Sequence, residues 1–273
     1  MKKGESTLRQ AHRPQSSASR IAIAAVAFAA LCLVAVATAL AAPQRTTAQI
    51  RVLAAASLTN VFPQIDNTPS YSFAGSDALA AQIRLGVPAD VFASANMTLP
   101  TSLYNQKLVE KPVVFATNKL VLVVPKSNPA GIKTVFDLKK SGIKLIVGTP
   151  TVPIGSYTRT ILKNLALTSV LANVVSQETD VRSILSKVAL GEADAGLVYI
   201  TDAKTVADKV TVIKLPAWAQ PPVRYGIAVV NTTKSRSDAV AFINKVLSKQ
   251  GQAKLRAAGF GAPKNGVTSY PGG

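Results

Sequence analysis

The run Lys119-Leu120-Val121-Leu122-Val123-Val124-Pro125 constrains this chain more than any other stretch. It is apolar without alternation, rich in β-branched residues and closed by a proline. A strand facing water on one side would be polar at every second position, so this one is covered on both faces. Residues 224–230 form a second run of similar length and character. Between and around them, strand-like and helix-like segments alternate. The strands are read at 49–53, 71–74, 90–95, 144–147, 195–200 and 210–214. The helices are read at 58–64, 76–85, 99–106, 135–140, 157–164, 179–190, 236–247 and 250–258, with Gly259 as the final stop. Such alternation describes an α/β chain whose sheets lie between helices. If each long run passes from one domain to the other, the two make a hinge. The expected division is then 43–120 plus 231–273 as domain I and 121–230 as domain II. Ligand would sit between them at the strand ends.

The first 42 residues read differently. Ile21 to Ala42 contains no charge, and Lys2, Lys3, Arg9, Arg13 and Arg20 precede it against the single acid Glu5. A basic start, an apolar stretch and Ala39-Leu40-Ala41 compose an export signal with a cleavage site. The stretch is also long enough to span a bilayer, so an uncleaved anchor at residues 21–42 competes with it. Either way, the remainder is expected outside the cytoplasmic membrane, in the periplasm or on the membrane's outer face. Cys32 follows Leu31, where lipid attachment calls for a small residue.

Composition then removes whole classes of chemistry. The only cysteine, Cys32, and the only histidine, His12, both fall within those 42 residues. The exported part therefore has no disulfide, no Cys or His nucleophile, no histidine base and no His/Cys metal site. Removing residues 1–41 takes five Lys/Arg and one Glu, leaving 26 basic against 12 acidic side chains, a net +14. The basic residues are scattered and few aromatics accompany them, so nucleic acid is not an expected partner. A basic surface attracted to anionic lipid or cell wall accounts for the charge. A serine nucleophile with a lysine base remains conceivable, but no G-x-S-x-G elbow is present. No G-x-x-x-x-G-K-[ST] phosphate loop is present either.

Two serines stand where strands turn into helices. Ala54-Ala55-Ala56-Ser57-Leu58-Thr59-Asn60 follows the first strand, and Gly75-Ser76-Asp77 follows the second. At each, the serine reads as an N-cap. Helix N-termini with hydroxyls beside them form a cradle for an anion, although a serine there also caps a helix with no ligand at all.

The stretches Val52–Asn60 (VLAAASLTN), Phe73–Ile83 (FAGSDALAAQI), Pro88–Ala95 (PADVFASA), Val152–Gly155 (VPIG), Asp180-Val181-Arg182 and Leu197-Val198-Tyr199 occur in this order. They resemble the periplasmic molybdate-binding proteins of ABC importers, over about residues 49–262. The resemblance implies a type II periplasmic-binding-protein fold: two α/β domains with mixed, mainly parallel sheets joined by a two-stranded hinge. It also implies a monomeric solute-binding protein, not an enzyme, that carries molybdate or tungstate, without a cofactor, to a permease and its cytoplasmic ATPase. By position, it assigns hydroxyl donors to Ser57, Ser76 and Tyr199, and backbone N–H donors to Ile154 and Val181. Metal would enter only inside the oxyanion, with no side chain ligating it directly. Asp77, beside Ser76, departs from the usual Ser or Thr, and a carboxylate facing a dianion would repel it. Some distant relatives recruit carboxylates, which makes Asp77, Glu178 and Asp180 further candidates. Arg84 and Arg224 are candidates for steering anions, and Trp218 for reporting domain closure. The alternatives are a binding protein for another tetrahedral oxyanion, such as sulphate, or a basic surface-interaction module.

Overall fold

The computed structural model describes residues 49–263 and 268–271. The apolar run, its cleavage site, Cys32 and His12 lie outside the described residues. Among the described residues, ten strands fall into two five-stranded sheets, each the centre of one lobe. The first sheet has the order β2-β1-β3-β10-β4, with β1 at Arg51–Ala55, β2 at Ser70–Ala74, β3 at Val91–Ser94, β4 at Val113–Asn118 and β10 at Val223–Val229. The second has the order β7-β6-β8-β5-β9, with β5 at Leu120–Pro125, β6 at Leu145–Gly148, β7 at Val174–Glu178, β8 at Ala195–Tyr199 and β9 at Val210–Lys214. Six longer helices cover them: α1 Ser76–Arg84, α2 Thr98–Asn105, α3 Pro153–Asn164, α4 Val181–Ala189, α5 Arg236–Leu247 and α6 Lys249–Ala258.

Burial follows the reading from composition. Every residue of β5 is buried, as is every residue of β6, β8 and β3. The α4 helix turns Val181, Ile184, Leu185 and Val188 inward, the spacing of one helical face. Gly259 closes α6 in the left-handed region, at φ 101°.

Each sheet is mixed. In the first, β1 pairs in parallel with β2 and β3, while β10 runs antiparallel to β3 and β4. In the second, β6 pairs in parallel with β7 and β8, while β5 runs antiparallel to β8 and β9. The hinge differs from the expectation. The run 224–230 does not cross between lobes: β10 pairs only within the first sheet, so residues 223–229 leave domain II and join domain I. Likewise β5 lies wholly in the second sheet. The crossings are the single residue Lys119, between β4 and β5, and the segment 215–222, between β9 and β10. An all-apolar strand is one covered on both faces, and either sheet covers it equally well.

Register matters for function. Ala55 lies opposite Ala74, and Ala54 lies opposite Ala93, so β1, β2 and β3 end together. In the second sheet Gly148 lies opposite Glu178, and β8 runs parallel beside them. The candidate site residues lie at or just after these parallel ends, where ligands bind in other open α/β sheets.

Candidate oxyanion site

The loops after β1, β2 and β3 meet those after β6, β7 and β8 around a narrow cavity of about 10 Å³. From the first lobe it is lined by Ala55, Ala56 and Ser57, by Ala74, Gly75 and Ser76, and by Ala95. From the second it is lined by Val152, Pro153 and Ile154, by Asp180 and Val181, and by Tyr199. The five residues assigned from the resemblance, Ser57, Ser76, Ile154, Val181 and Tyr199, thus border one space. That volume is far below the roughly 300–1,000 Å³ usual for drug-sized ligands, which leaves no room for a ligand of that size.

Neither serine is an N-cap. Ser57 sits inside a 3-10 turn, Ala56–Leu58, whose cap position is Ala55. Ser76 is the first residue of α1, after Gly75. Both are buried, and both have their oxygen engaged by the protein. Ser76 Oγ accepts the Ala95 N–H at 3.1 Å. Ser57 Oγ lies 2.9 Å from the Tyr225 hydroxyl. A hydroxyl whose oxygen accepts from behind keeps its proton for what lies in front.

Tyr199, the last residue of β8, is 1% exposed, and its hydroxyl has no hydrogen-bond partner among the described residues. Burial raises its pKa well above the usual phenol value, so the group stays protonated and can donate. The ring is held edge-on between Tyr157 at 6.5 Å and Tyr225 at 5.8 Å. Burial likewise pushes Tyr157 up to about 12.

The backbone donors come from two helix starts. Pro153 opens α3, where the missing N–H costs nothing and φ is already helical. Gly155 follows because a Cβ there would lie inside 3.0 Å of the Thr149 and Gly148 carbonyl oxygens. This tight turn sets Ile154 at the helix N-terminus, where N–H groups lack partners within the helix. Ile154's bulk is turned into the core, at 1% exposure. At α4, Asp180 is the N-cap, and its carboxylate accepts the N–H groups of Arg182 and Ser183. The Val181 N–H, one residue earlier, is not among those it holds.

The candidate carboxylates are each committed elsewhere. Asp77 does not line the cavity, and its Oδ2 accepts the Thr151 hydroxyl of the other lobe at 2.6 Å. Asp180 is used in capping α4. Glu178 pairs with Lys187 at 2.7 Å. Arg84 binds Gln106 and Ser102 on the surface, Arg224 is exposed, and Trp218 is 70% exposed in the 215–222 crossing; none of the three lines the cavity. Sequence reasoning missed the groups behind the wall. Arg182, part of the quoted Asp-Val-Arg motif, lies 2.8 Å from the fully buried Asp202 and also donates to Asn60 of the first lobe. Tyr225 and Asn118 stand behind Ser57, and no local pattern marks them.

The profile of the family described as bacterial extracellular solute-binding protein matches residues 33–261. The chain belongs to that family. Among its relatives is the molybdate-binding protein ModA of Mycobacterium tuberculosis, 39% identical over 233 residues, which are 82% of this chain and 88% of that one. The periplasmic molybdate-binding protein of Azotobacter vinelandii superposes with a TM-score of 0.71 at 23% identity, covering 79% of this chain and all of that one. The sulfate-binding protein SubI of Mycobacterium tuberculosis superposes with a TM-score of 0.68 at 18% identity, covering 81% and 88%. Membership makes this a solute-binding protein of the cell exterior rather than an enzyme, and its two α/β lobes have the type II periplasmic-binding-protein fold. Among the described residues, no helix is long and apolar enough to cross a membrane.

Proposed function

We propose that the chain captures molybdate or tungstate between its lobes outside the cytoplasmic membrane and delivers it to an ABC permease with a cytoplasmic ATPase. It acts as a monomer, freed by cleavage after Ala41 or held to the membrane through residues 21–42. Ser57, Ser76 and Tyr199 donate their hydroxyl protons, and Ile154 and Val181 donate backbone N–H groups. The observation that carries this reading is the Tyr199 hydroxyl, buried at the cavity wall without a partner among the described residues, across from Ser76, whose oxygen accepts the Ala95 N–H, and Ser57, whose oxygen lies 2.9 Å from the Tyr225 hydroxyl. The likeness to ModA supplies the identity of the anion.

No Lys or Arg lines the cavity, and its one carboxylate, Asp180, is taken up by the Arg182 and Ser183 N–H groups, so the dianion is held by neutral donors. Fixed neutral donors select by size and protonation. Sulphate has shorter bonds to oxygen than molybdate and so reaches a given set of donors less well, and protonated phosphate brings a donor where only donors wait.

Calorimetric titration of the purified chain with molybdate, tungstate, sulphate and phosphate tests the reading. Tight one-to-one binding of the first two is expected, with a stabilisation of about 2.7 kcal/mol at 100 times the dissociation constant. Tight sulphate binding with molybdate silent would transfer the site to the sulphate reading.

Tyr199→Phe separates affinity from stability. Loss of a charge-assisted hydrogen bond, about 1.5–3 kcal/mol, predicts roughly 10- to 150-fold weaker molybdate binding. The ligand-free chain should melt no lower, because the substitution removes a buried hydroxyl that has no partner. Lower melting together with unchanged affinity would assign Tyr199 to the core alone.

A further inference from the structure

We propose that Asn118 and Tyr225, which do not line the cavity, are positioning residues that fix Ser57 as a donor and so set the protonation selectivity of the site. The inference rests on the reading that an oxyanion occupies this cavity. Its basis is a row of hydrogen bonds whose direction the backbone dictates.

Asn118 ends β4, next to the crossing residue Lys119. Its side-chain oxygen accepts the Lys119 backbone N–H at 2.9 Å. A backbone N–H can only donate, so the amide orientation is fixed and the NH2 group faces the other way. That NH2 donates one proton to Thr201 Oγ1 at 2.9 Å, in the second lobe, and the other to the Tyr225 hydroxyl at 3.3 Å. Tyr225 Oη therefore accepts from Asn118. Its own proton points to the remaining neighbour, Ser57 Oγ, at 2.9 Å. Ser57 then accepts from Tyr225 and has its proton left for the cavity.

The opposite polarity, with Ser57 donating to Tyr225, would bury the Tyr225 proton without an acceptor. Tyr225 is fully buried and Asn118 is 8% exposed, so water does not readily absorb that error. The ring of Tyr225 cannot swing away. It lies edge-to-face between Phe115 at 6.0 Å and Phe260 at 5.4 Å, with Tyr199 on another side. Ser76 reaches the same polarity more simply, by accepting from the Ala95 backbone. The row also joins the lobes, since Thr201 follows β8 while Ser57 follows β1.

A double-mutant cycle with molybdate tests the relay. Tyr225→Phe keeps the ring and removes the O–H. It is expected to weaken molybdate about tenfold, the scale of one hydrogen bond to a charged group. In the Ser57→Ala background the same change is expected to cost nothing further, because the relay ends on Ser57. With Tyr225 Oη gone, Ser57 Oγ is free to accept. Competition by phosphate should therefore weaken less than molybdate binding, and the molybdate-to-phosphate ratio should fall. Asn118→Asp keeps the acceptor for Lys119 N–H and reverses the other end. It is expected to weaken molybdate more in the wild-type background than in the Tyr225→Phe background, which separates the relay from the added charge. Equal losses in both members of either pair would overturn the relay, leaving Tyr225 as packing. If the unmutated chain binds none of the oxyanions, the site reading fails and the relay fails with it.

Discussion

Gly75→Ala is expected to weaken molybdate binding about ten- to a hundredfold while leaving the ligand-free chain at least as stable as wild type. Gly75 ends the loop from β2 and precedes α1. Its φ of −57° and ψ of 135° suit any residue, and within the first lobe a Cβ would crowd only Asp77 Oδ1, at 2.9 Å, a side-chain atom that can shift. The requirement comes from the second lobe. A Cβ at Gly75 would fall well inside 3.0 Å of the Thr179 carbonyl oxygen, just before the α4 cap. Backbone cannot yield as a side-chain tip does. The lobes would stand apart at the point where, in the proposed site, Ser76 and Val181 share one anion. Beside this contact, Asp77 meets Thr151 across the same seam. Titration calorimetry reads the affinity, and a melt without ligand reads the fold. Lower melting with unchanged affinity would show that Gly75 matters within its own lobe instead.

How far these features could be read from sequence depends on their range. The parallel strand ends were legible because β1, β3, β6 and β8 are short apolar runs and β2 alternates Ser with Tyr and Phe. Strands β4 and β7 were not. Val113–Asn118 mixes Thr and Asn with its apolar residues, and Val174–Glu178 interleaves Ser, Gln and Glu at the edge of its sheet. A five-residue run with that composition is indistinguishable from a loop by periodicity. Both serines read as caps from sequence, whereas Ala55 and Gly75 occupy those positions. Ser57 and Tyr225 are 168 residues apart, and only the placement of β10 beside β3 and β4 brings them together. That placement was itself hidden, since residues 223–229 carry no mark of which sheet covers them.

The pair behind α4 should prove the larger determinant of stability. Asp202 is 0% exposed, and burial pushes its carboxyl up to about 7, with the Arg182 guanidinium opposing and Asp180 adding to the rise. The folded pKa thus exceeds the unfolded one, near 3.8. Stability from this group is complete below about pH 4 and declines as pH rises through 7. Asp66 and Glu178 act in the opposite sense. Each is held below its usual value: burial opposes this, but hydrogen bonds and the nearby Lys245 and Lys187 outweigh it, so their contribution is lost on acidification.

Arg182→Met keeps most of the stem and deletes the cation that faces Asp202. Breaking a buried pair from one side costs about 3–5 kcal/mol, because the remaining charge is uncompensated. The loss should be largest near pH 8, where Asp202 would otherwise be ionised, and smaller near pH 5, where the folded carboxyl already holds its proton. Adding Asp202→Asn should recover most of the loss at pH 8. Urea titrations at the two pH values, on both variants, measure each quantity. A loss independent of pH, or no recovery in the double variant, would show that Arg182 acts through its bonds to Asn60 and Thr205 rather than through Asp202. The distinction bears on function because Asn60 belongs to the first lobe and Asp202 to the second. If the charge pair dominates, Arg182 anchors α4 within its own lobe and keeps Val181 in place. If the Asn60 bond dominates, the same residue ties the lobes together, and its loss should appear first in the affinity for the oxyanion.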